Sequence, residues 1–177
     1  MANLHANETR ALLNLRERDK ALRDYLSQHK LSDESSIRDH LIYVHELNRV
    51  AGNINNHASA VSCILARQFL ERHHDVISFD ACEKLQGAKG IDLECRLTTG
   101  ERVIGEVKTT IPYQGHKLGA AQLTSFKKDL QRLTDEAAVL KYFFLIDGGA
   151  AAEAQRLLQK GLFDRSIRVI DLLGLQS

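Results

Sequence analysis

From Ile91 to Thr109, apolar and polar residues alternate with a period of two. Ile91, Leu93, Cys95 and Leu97 are separated by Asp92, Glu94 and Arg96. After a short break, Val103, Gly105, Val107 and Thr109 are separated by Ile104, Glu106 and Lys108. Such alternation marks a strand with one face toward a core. Thr98-Thr99-Gly100 between the two runs supplies turn chemistry, with a glycine free to take a positive φ. Both odd-numbered faces must reach the core together, because a one-residue slip sends a whole face to solvent. That condition selects a three-residue loop, 98–100, with Leu97 opposite Glu101. Cys95 then faces Val103, Leu93 faces Gly105 and Asp92 faces Glu106.

Helical periodicity governs most of the remaining chain. Leu12, Leu15, Leu22 and Leu26, interrupted by Asp19, form a narrow seam over residues 8–29. Ser36 and Asp39 have the spacing of a helix start, and Ile37, Leu41, Val44 and Leu47 give the next helix an apolar face that ends before Gly52. The two helices read as a hairpin. It either packs on its own chain or serves as a dimerisation or DNA-embracing arm. After a polar hinge at 52–56, a helix is expected over 57–73, with Val61, Ile64, Leu65, Phe69 and Leu70 on its apolar side. A short strand, Val76 to Phe79, precedes the alternating pair. Residues 118–133 predict a helix with Leu123, Phe126, Leu130 and Leu133 inward, and Lys141 to Ile146 a buried strand. A helix over 150–160 stops at Gly161, a glycine placed to end it, and 168–172 is a last strand. The expectation is an α/β chain: an N-terminal helical arm, 1–51, and a domain, 52–177, built as helix, three-strand antiparallel meander, helix, strand.

Composition narrows the setting. A chain of 177 residues with this apolar content has material for a real core. The net charge of +1 gives no global signal for nucleic acid, so any basic surface must be local. Three widely spaced cysteines, without C-x-x-C or zinc spacing, suit a reduced cytoplasmic chain. The strongest apolar run, Tyr142 to Ile146, is too short to span a bilayer, and MANLHANE does not read as a signal peptide. No membrane partner is expected.

The chemistry lies in the alternating pair. Asp92 opposite Glu106 puts two carboxylates in a cross-strand position where like charges are destabilising. Lys108, one step along the same face, is the only positive charge expected near them. A divalent cation that takes hard oxygen ligands offsets such a repulsion. On a polar face opposite Val103, Gly105 and Val107, truncating Glu106 or Lys108 is expected to leave no cavity.

Asp92, followed on the next strand by Glu106-Val107-Lys108, resembles the PD-(D/E)xK nuclease superfamily, the restriction-endonuclease-like fold. The resemblance spans roughly 57–147, and the order of elements agrees with that family's core. It implies a Mg²⁺-dependent phosphodiesterase acting on double-stranded DNA, most like a type II restriction endonuclease working as a homodimer. A structure-selective repair or recombination nuclease, or a non-catalytic nucleic-acid-binding domain, are the alternatives. The resemblance implies that Asp92, Glu106 and the carbonyl of Val107 hold Mg²⁺, while Lys108 positions the attacking water. The chain departs from the family where Ile91 replaces the proline before the aspartate. It departs again in the first core helix, which carries Cys63 and Ile64 where a glutamate is common.

Secondary candidates surround this set. Gly87-Ala88-Lys89-Gly90 is either a plain loop or a backbone approach to phosphate with Lys89 beside it. Gln122 stands where related nucleases place a glutamine near the site. Tyr113, Gln114, His116 and Lys117, in the connection after the second strand, are candidates for DNA contact. Glu94 shares a face with Asp92 and either assists it or is a solvated strand carboxylate.

Overall fold

The computed structural model describes residues 3–84, 88, 90–112 and 117–175. Its sheet is registered by the turn at Thr98-Thr99-Gly100. The Gly100 N–H donates to the Leu97 carbonyl at 2.8 Å, the Leu97 N–H donates to the Glu101 carbonyl at 2.9 Å, and Gly100 sits at φ 94°. Strands β1 (Leu93–Arg96) and β2 (Arg102–Lys108) therefore pair antiparallel, with Leu93 opposite Gly105 and Cys95 opposite Val103, as the one-face argument requires. β3 (Leu140–Leu145) and β4 (Arg168–Asp171) add in parallel, giving a four-stranded sheet in the order β1-β2-β3-β4.

The three-strand antiparallel meander is not formed as expected. Val76 makes a single antiparallel bridge to Leu97, and the Ile77 N–H donates to the Arg96 carbonyl at 2.7 Å. Beyond that point the chain is drawn off the sheet by the N-terminal helix α1 (Ala6–Gln28). The Asn7 N–H donates to Asp80 Oδ2 at 3.0 Å, and the Ala81 N–H donates to Glu8 Oε1 at 3.2 Å. The first alternating run is also shorter than its pattern. It begins at Leu93, and Ile91 packs with Ile104, Phe126 and Leu130, on the opposite side from Leu93 and Cys95.

Helix α3 (Ile54–His73) starts at Asn53, whose side chain accepts from the Asn56 N–H. It covers the sheet face carrying Leu93, Cys95, Val103, Val107, Tyr142 and Phe144, through Ala66, Phe69 and Leu70. Helices α4 (Ala120–Asp135) and α5 (Gly148–Gln159) cover the other face, where Phe126, Leu130, Leu133 and Ala154 meet Ile104, Phe143 and Leu145. Gly161, at φ 73°, follows α5 as its terminating glycine. Because β2 leads through α4 into a parallel neighbour, the crossover helix must lie on the sheet. The even-numbered face of β2 is therefore not the polar face expected of a two-stranded hairpin. Ile104 is fully buried and Glu106 is 1% exposed.

Helix α2 (Ile37–Ala51) begins with Ser36 and Asp39 capping each other's backbone, as their spacing predicts. It lies against α1, with the Tyr25 hydroxyl donating to the Tyr43 carbonyl and Arg18 Nη1 to the Val50 carbonyl, both at 3.2 Å. Its apolar stripe does not turn into that contact: Ile37 is 86% exposed, and Leu41 and Val44 are exposed as well. The other end of the hairpin is fixed firmly. Glu8 is fully buried and receives Arg67 Nε at 2.6 Å and Arg67 Nη2 at 2.9 Å, while Arg67 also reaches Glu71 and the Asn3 carbonyl. No helix among the described residues is long and apolar enough to cross a membrane.

Two stability outcomes follow from this packing. Removing one partner of a buried, hydrogen-bonded ion pair leaves the other charge uncompensated, so Glu8→Ala should cost about 3–5 kcal/mol in urea unfolding. Replacing Glu8 and Arg67 together by leucine should recover part of that loss. A Cβ on Gly105 would stand 2.9 Å from Phe144 Cε2 and 3.3 Å from Cδ2, between strands that cannot part. Gly105→Ala should therefore cost about 1–3 kcal/mol in the same measurement.

Candidate active site

The end of β2 next to β1 is where the ionisable groups gather. Asp92 precedes β1 at a bend in the backbone, and its Oδ2 accepts the Val107 N–H at 2.9 Å. Two carbonyls just before it are engaged as well: Gly90 accepts Arg132 Nη1 at 3.2 Å, and Ile91 accepts Lys84 Nζ. In an extended strand the N–H and C=O of one residue point the same way. Val107 thus turns its carbonyl, like its N–H, toward the Asp92 side of β2.

Glu106, one residue before Val107, points beneath α4. Arg132 Nη1 donates to its Oε1 at 2.7 Å. Burial, then the charge of Asp92, then a hydrogen bond with Asp92 push the Glu106 carboxyl up to about 8, against the opposing pull of Arg132. Lys108 lies on the same side of β2. Its Nζ donates to Ser125 Oγ at 3.2 Å and stands 2.7 Å from Asp129 Oδ2. Asp129 is 3% exposed, and its Oδ2 accepts no directed hydrogen bond among the described residues, so the contact with Lys108 is one of charge. Arg132 Nη2 is 3.6 Å from the other Asp129 oxygen. The cluster thus holds Asp92, Glu106 and Asp129 against Lys108 and Arg132.

Asp129, Arg132 and Ser125 had not been singled out in the sequence. A signal was there: Gln122, Ser125, Asp129 and Arg132 fall at i, i+3, i+7 and i+10, a polar stripe beside the apolar stripe of Leu123, Phe126, Leu130 and Leu133. With Arg132 present, Lys108 is not the only positive charge near the carboxylates. With Glu106 buried, its truncation would open a void and strand Arg132.

The other expected residues fall in different places. Gln122 is spent on the loop, its Oε1 accepting the Gly119 N–H at 2.9 Å and its Nε2 donating to the Ile111 carbonyl at 3.0 Å. Glu94 pairs with Arg102 Nε at 2.8 Å across the strands, away from the cluster, and that bond lowers its pKa. Lys117 is exposed, at the start of the connection into α4. Lys89, Tyr113, Gln114 and His116 lie outside the described residues, as does most of the loop suggested for phosphate. From α3 it is Cys63 that adjoins Asp92. Burial and the charge of Asp92 push this thiol up to about 12, so it is an inert neighbour rather than a ligand.

Among the described residues no group of three or more His, Cys, Asp or Glu is arranged to hold a metal ion. Two carboxylates and a strand carbonyl are nevertheless the kind of sparse oxygen set that Mg²⁺ accepts, since this ion keeps most of its water. The forced approach of Asp92 to Glu106 fits such an ion, because a cation offsets the repulsion that adds to burial in raising the Glu106 carboxyl. Comparison with protein-family models, with curated proteins and with solved structures gives no match to this chain.

The raised Glu106 carboxyl has a sign that can be measured. Between its ordinary value of 4.5 and about 8, the folded metal-free protein holds a proton that the unfolded chain releases. Stability must therefore fall as pH rises through this window, with a slope of up to about 1.4 kcal/mol per pH unit from this group. Urea unfolding from pH 5 to 8 in EDTA, on wild type and Glu106→Gln, should show the extra slope in the wild type alone.

Proposed function

We propose that this chain is a Mg²⁺-dependent DNA endonuclease of the PD-(D/E)xK kind. The observation that carries the reading is the meeting of Asp92 with a buried Glu106 beside Lys108, at the open end of the β1–β2 pair. A fold gains nothing from two carboxylates held together, one of them with its titration moved close to neutral. Such pairs are characteristic of functional sites. The parallel crossover β2–α4–β3, with α3 on the opposite face, supports the reading because Glu106 and Lys108 then lie at the end of β2 that adjoins Asp92.

In this reading Asp92, Glu106 and the Val107 carbonyl hold the ion. Bound there, Mg²⁺ would lower the pKa of a coordinated water and neutralise charge on the phosphate and on the leaving 3′ oxygen. Lys108 stabilises the charge that builds on the phosphate oxygens and orients the attacking water. Asp129 and Ser125 hold the Lys108 ammonium in place, which is what a catalytic cation on a flexible four-carbon stem requires. Arg132 compensates Glu106 when no ion does so, and it keeps the Gly90 backbone against the cluster. Duplex cleavage at fixed sites by a homodimer, as in a restriction enzyme, is one form of this activity. Cleavage of flaps, junctions or ends is the other.

The test is incubation of the purified chain with Mg²⁺ and a set of DNAs: unmethylated genomic duplex, flaps, junctions and single strands. Cleavage of at least one is expected. Glu106→Gln and Lys108→Met should each lower it by at least about 100-fold, in line with the loss of a metal ligand or of a transition-state cation. Both should keep the wild-type circular dichroism spectrum in EDTA. Lys108→Met should melt lower, because it leaves the buried Asp129 without its lysine, and Glu106→Gln should melt no lower than the wild type at neutral pH. Undiminished cleavage by Lys108→Met would remove the site, and no cleavage of any substrate would remove the function.

A further inference from the structure

We infer that the cleft between α1 and α3 is the binding site for an unpaired nucleotide strand leading to the scissile phosphate. The inference rests on the nuclease reading of Asp92, and it narrows the substrate to DNA with a single-stranded segment. The cleft measures about 470 Å³ and ends at Asp92. Clefts of roughly 300–1,000 Å³ hold small ligands, so it has room for a nucleotide or two of one strand but not for a base-paired helix.

Small apolar side chains and polar groups share its lining, and several of the polar side chains are unused by the fold. Asn7, Arg10 and Asn14 fall at i, i+3 and i+7 on one face of α1, and His57 faces them from the first turn of α3. Among the described residues, none of these four side chains has a hydrogen-bond or ion-pair partner. Lys84 lines the opposite end, beside Asp92, with protons to spare beyond the one given to Ile91. Two cations, Arg10 between the amides and Lys84 at the Asp92 end, together with the amides and an imidazole match a phosphate backbone and base edges. The amides can serve as donor or acceptor to a base, while the cations meet phosphate.

The wall of the cleft is held in place. The buried Glu8–Arg67 pair, together with the bond from the Asn7 N–H to Asp80, joins the first turns of α1 to α3 and to the segment that carries Lys84. A strand in the cleft would therefore meet a fixed array rather than a swinging arm. Asp92 is reached from this side, and Glu106 behind it is closed to solvent. A phosphate approaching the pair comes past Arg10 and His57.

Equilibrium anisotropy at one fixed salt concentration tests this, with EDTA present and two probes. One is a fluorescein-labelled blunt duplex, and the other is the same duplex with an unpaired overhang. The overhang should bind about tenfold more tightly. Arg10→Glu and His57→Ala should each remove most of that difference without moving the thermal midpoint, while Lys127→Glu, on the exposed side of α4, should leave it intact. Glu106→Gln should keep the overhang preference, so the readout does not depend on hydrolysis. Equal affinity for both probes, or a preference unmoved by Arg10→Glu and His57→Ala, overturns the inference even if the chain cleaves duplex. Absence of cleavage on every substrate removes the nuclease reading instead.

Discussion

Glu106 is an ionisable side chain with almost no access to water, carried by a strand covered on both faces. Much of the surrounding architecture answers that constraint. A buried carboxylate must find a counter-charge or a proton. Arg132 brings the first from α4, and the neighbourhood of Asp92 promotes the second. Asp129, one turn before Arg132 on the same helix, then anchors Lys108. The helix that seals the hydrophobic layer over Ile104 and Phe143 is thus also the helix that organises the charges. Its apolar stripe and its polar stripe meet the same strand, the first at Ile104 and the second at Glu106 and Lys108.

A second buried charge organises the other side of the sheet. Arg67 in α3 and Glu8 in α1 are both shut off from solvent and hydrogen-bonded to each other. Burying an ion pair is a poor source of net stability, but breaking one is costly, so such a pair defines where a helix must sit. Here it locates the start of α1 beside the sheet, takes up the chain after Val76, and so forms the cleft in front of Asp92. The far end of the hairpin has no comparable anchor. The apolar residues Ile37 and Leu41 of α2 stay in water, and contact between the hairpin helices runs through Tyr25, Tyr43 and Arg18 instead.

The two pairs divide the work between structure and chemistry. Glu8–Arg67 is charge-matched and closed, which suits a fixed joint. Asp92–Glu106 is mismatched, leans on Arg132, and opens to a cleft through Asp92 alone, which suits a site that gains from a bound cation.

Several features of the chain were determined by its sequence alone, because they rest on local rules. The β1–β2 register followed from alternation and a three-residue turn, since only one register sends Leu93, Cys95, Val103 and Val107 to the same side. The start of α2 followed from Ser36 and Asp39, and the end of α5 from Gly161, through capping chemistry that acts within one helical turn. The nearness of Asp92 to Glu106 was legible in part: the register brings Leu93 to Gly105, and a bend at Asp92, just outside β1, completes the approach. What tertiary structure alone decided depends on which elements cover which faces. Alternation cannot say whether the polar face of a strand meets water or a helix, and α4 lies on that of β2, burying Glu106 and bringing Asp129 and Arg132 to it. The pattern over Val76 to Phe79 reads as a strand, yet a long-range pull from Asn7 and Glu8 takes it off the sheet. Ile37 and Leu41 have helical spacing whether or not a partner lies beside them. Pairings between Glu8 and Arg67, or between Glu106 and Arg132, join residues far apart in the chain. They exist only because the folded layers bring charges together in a medium where neither can remain alone.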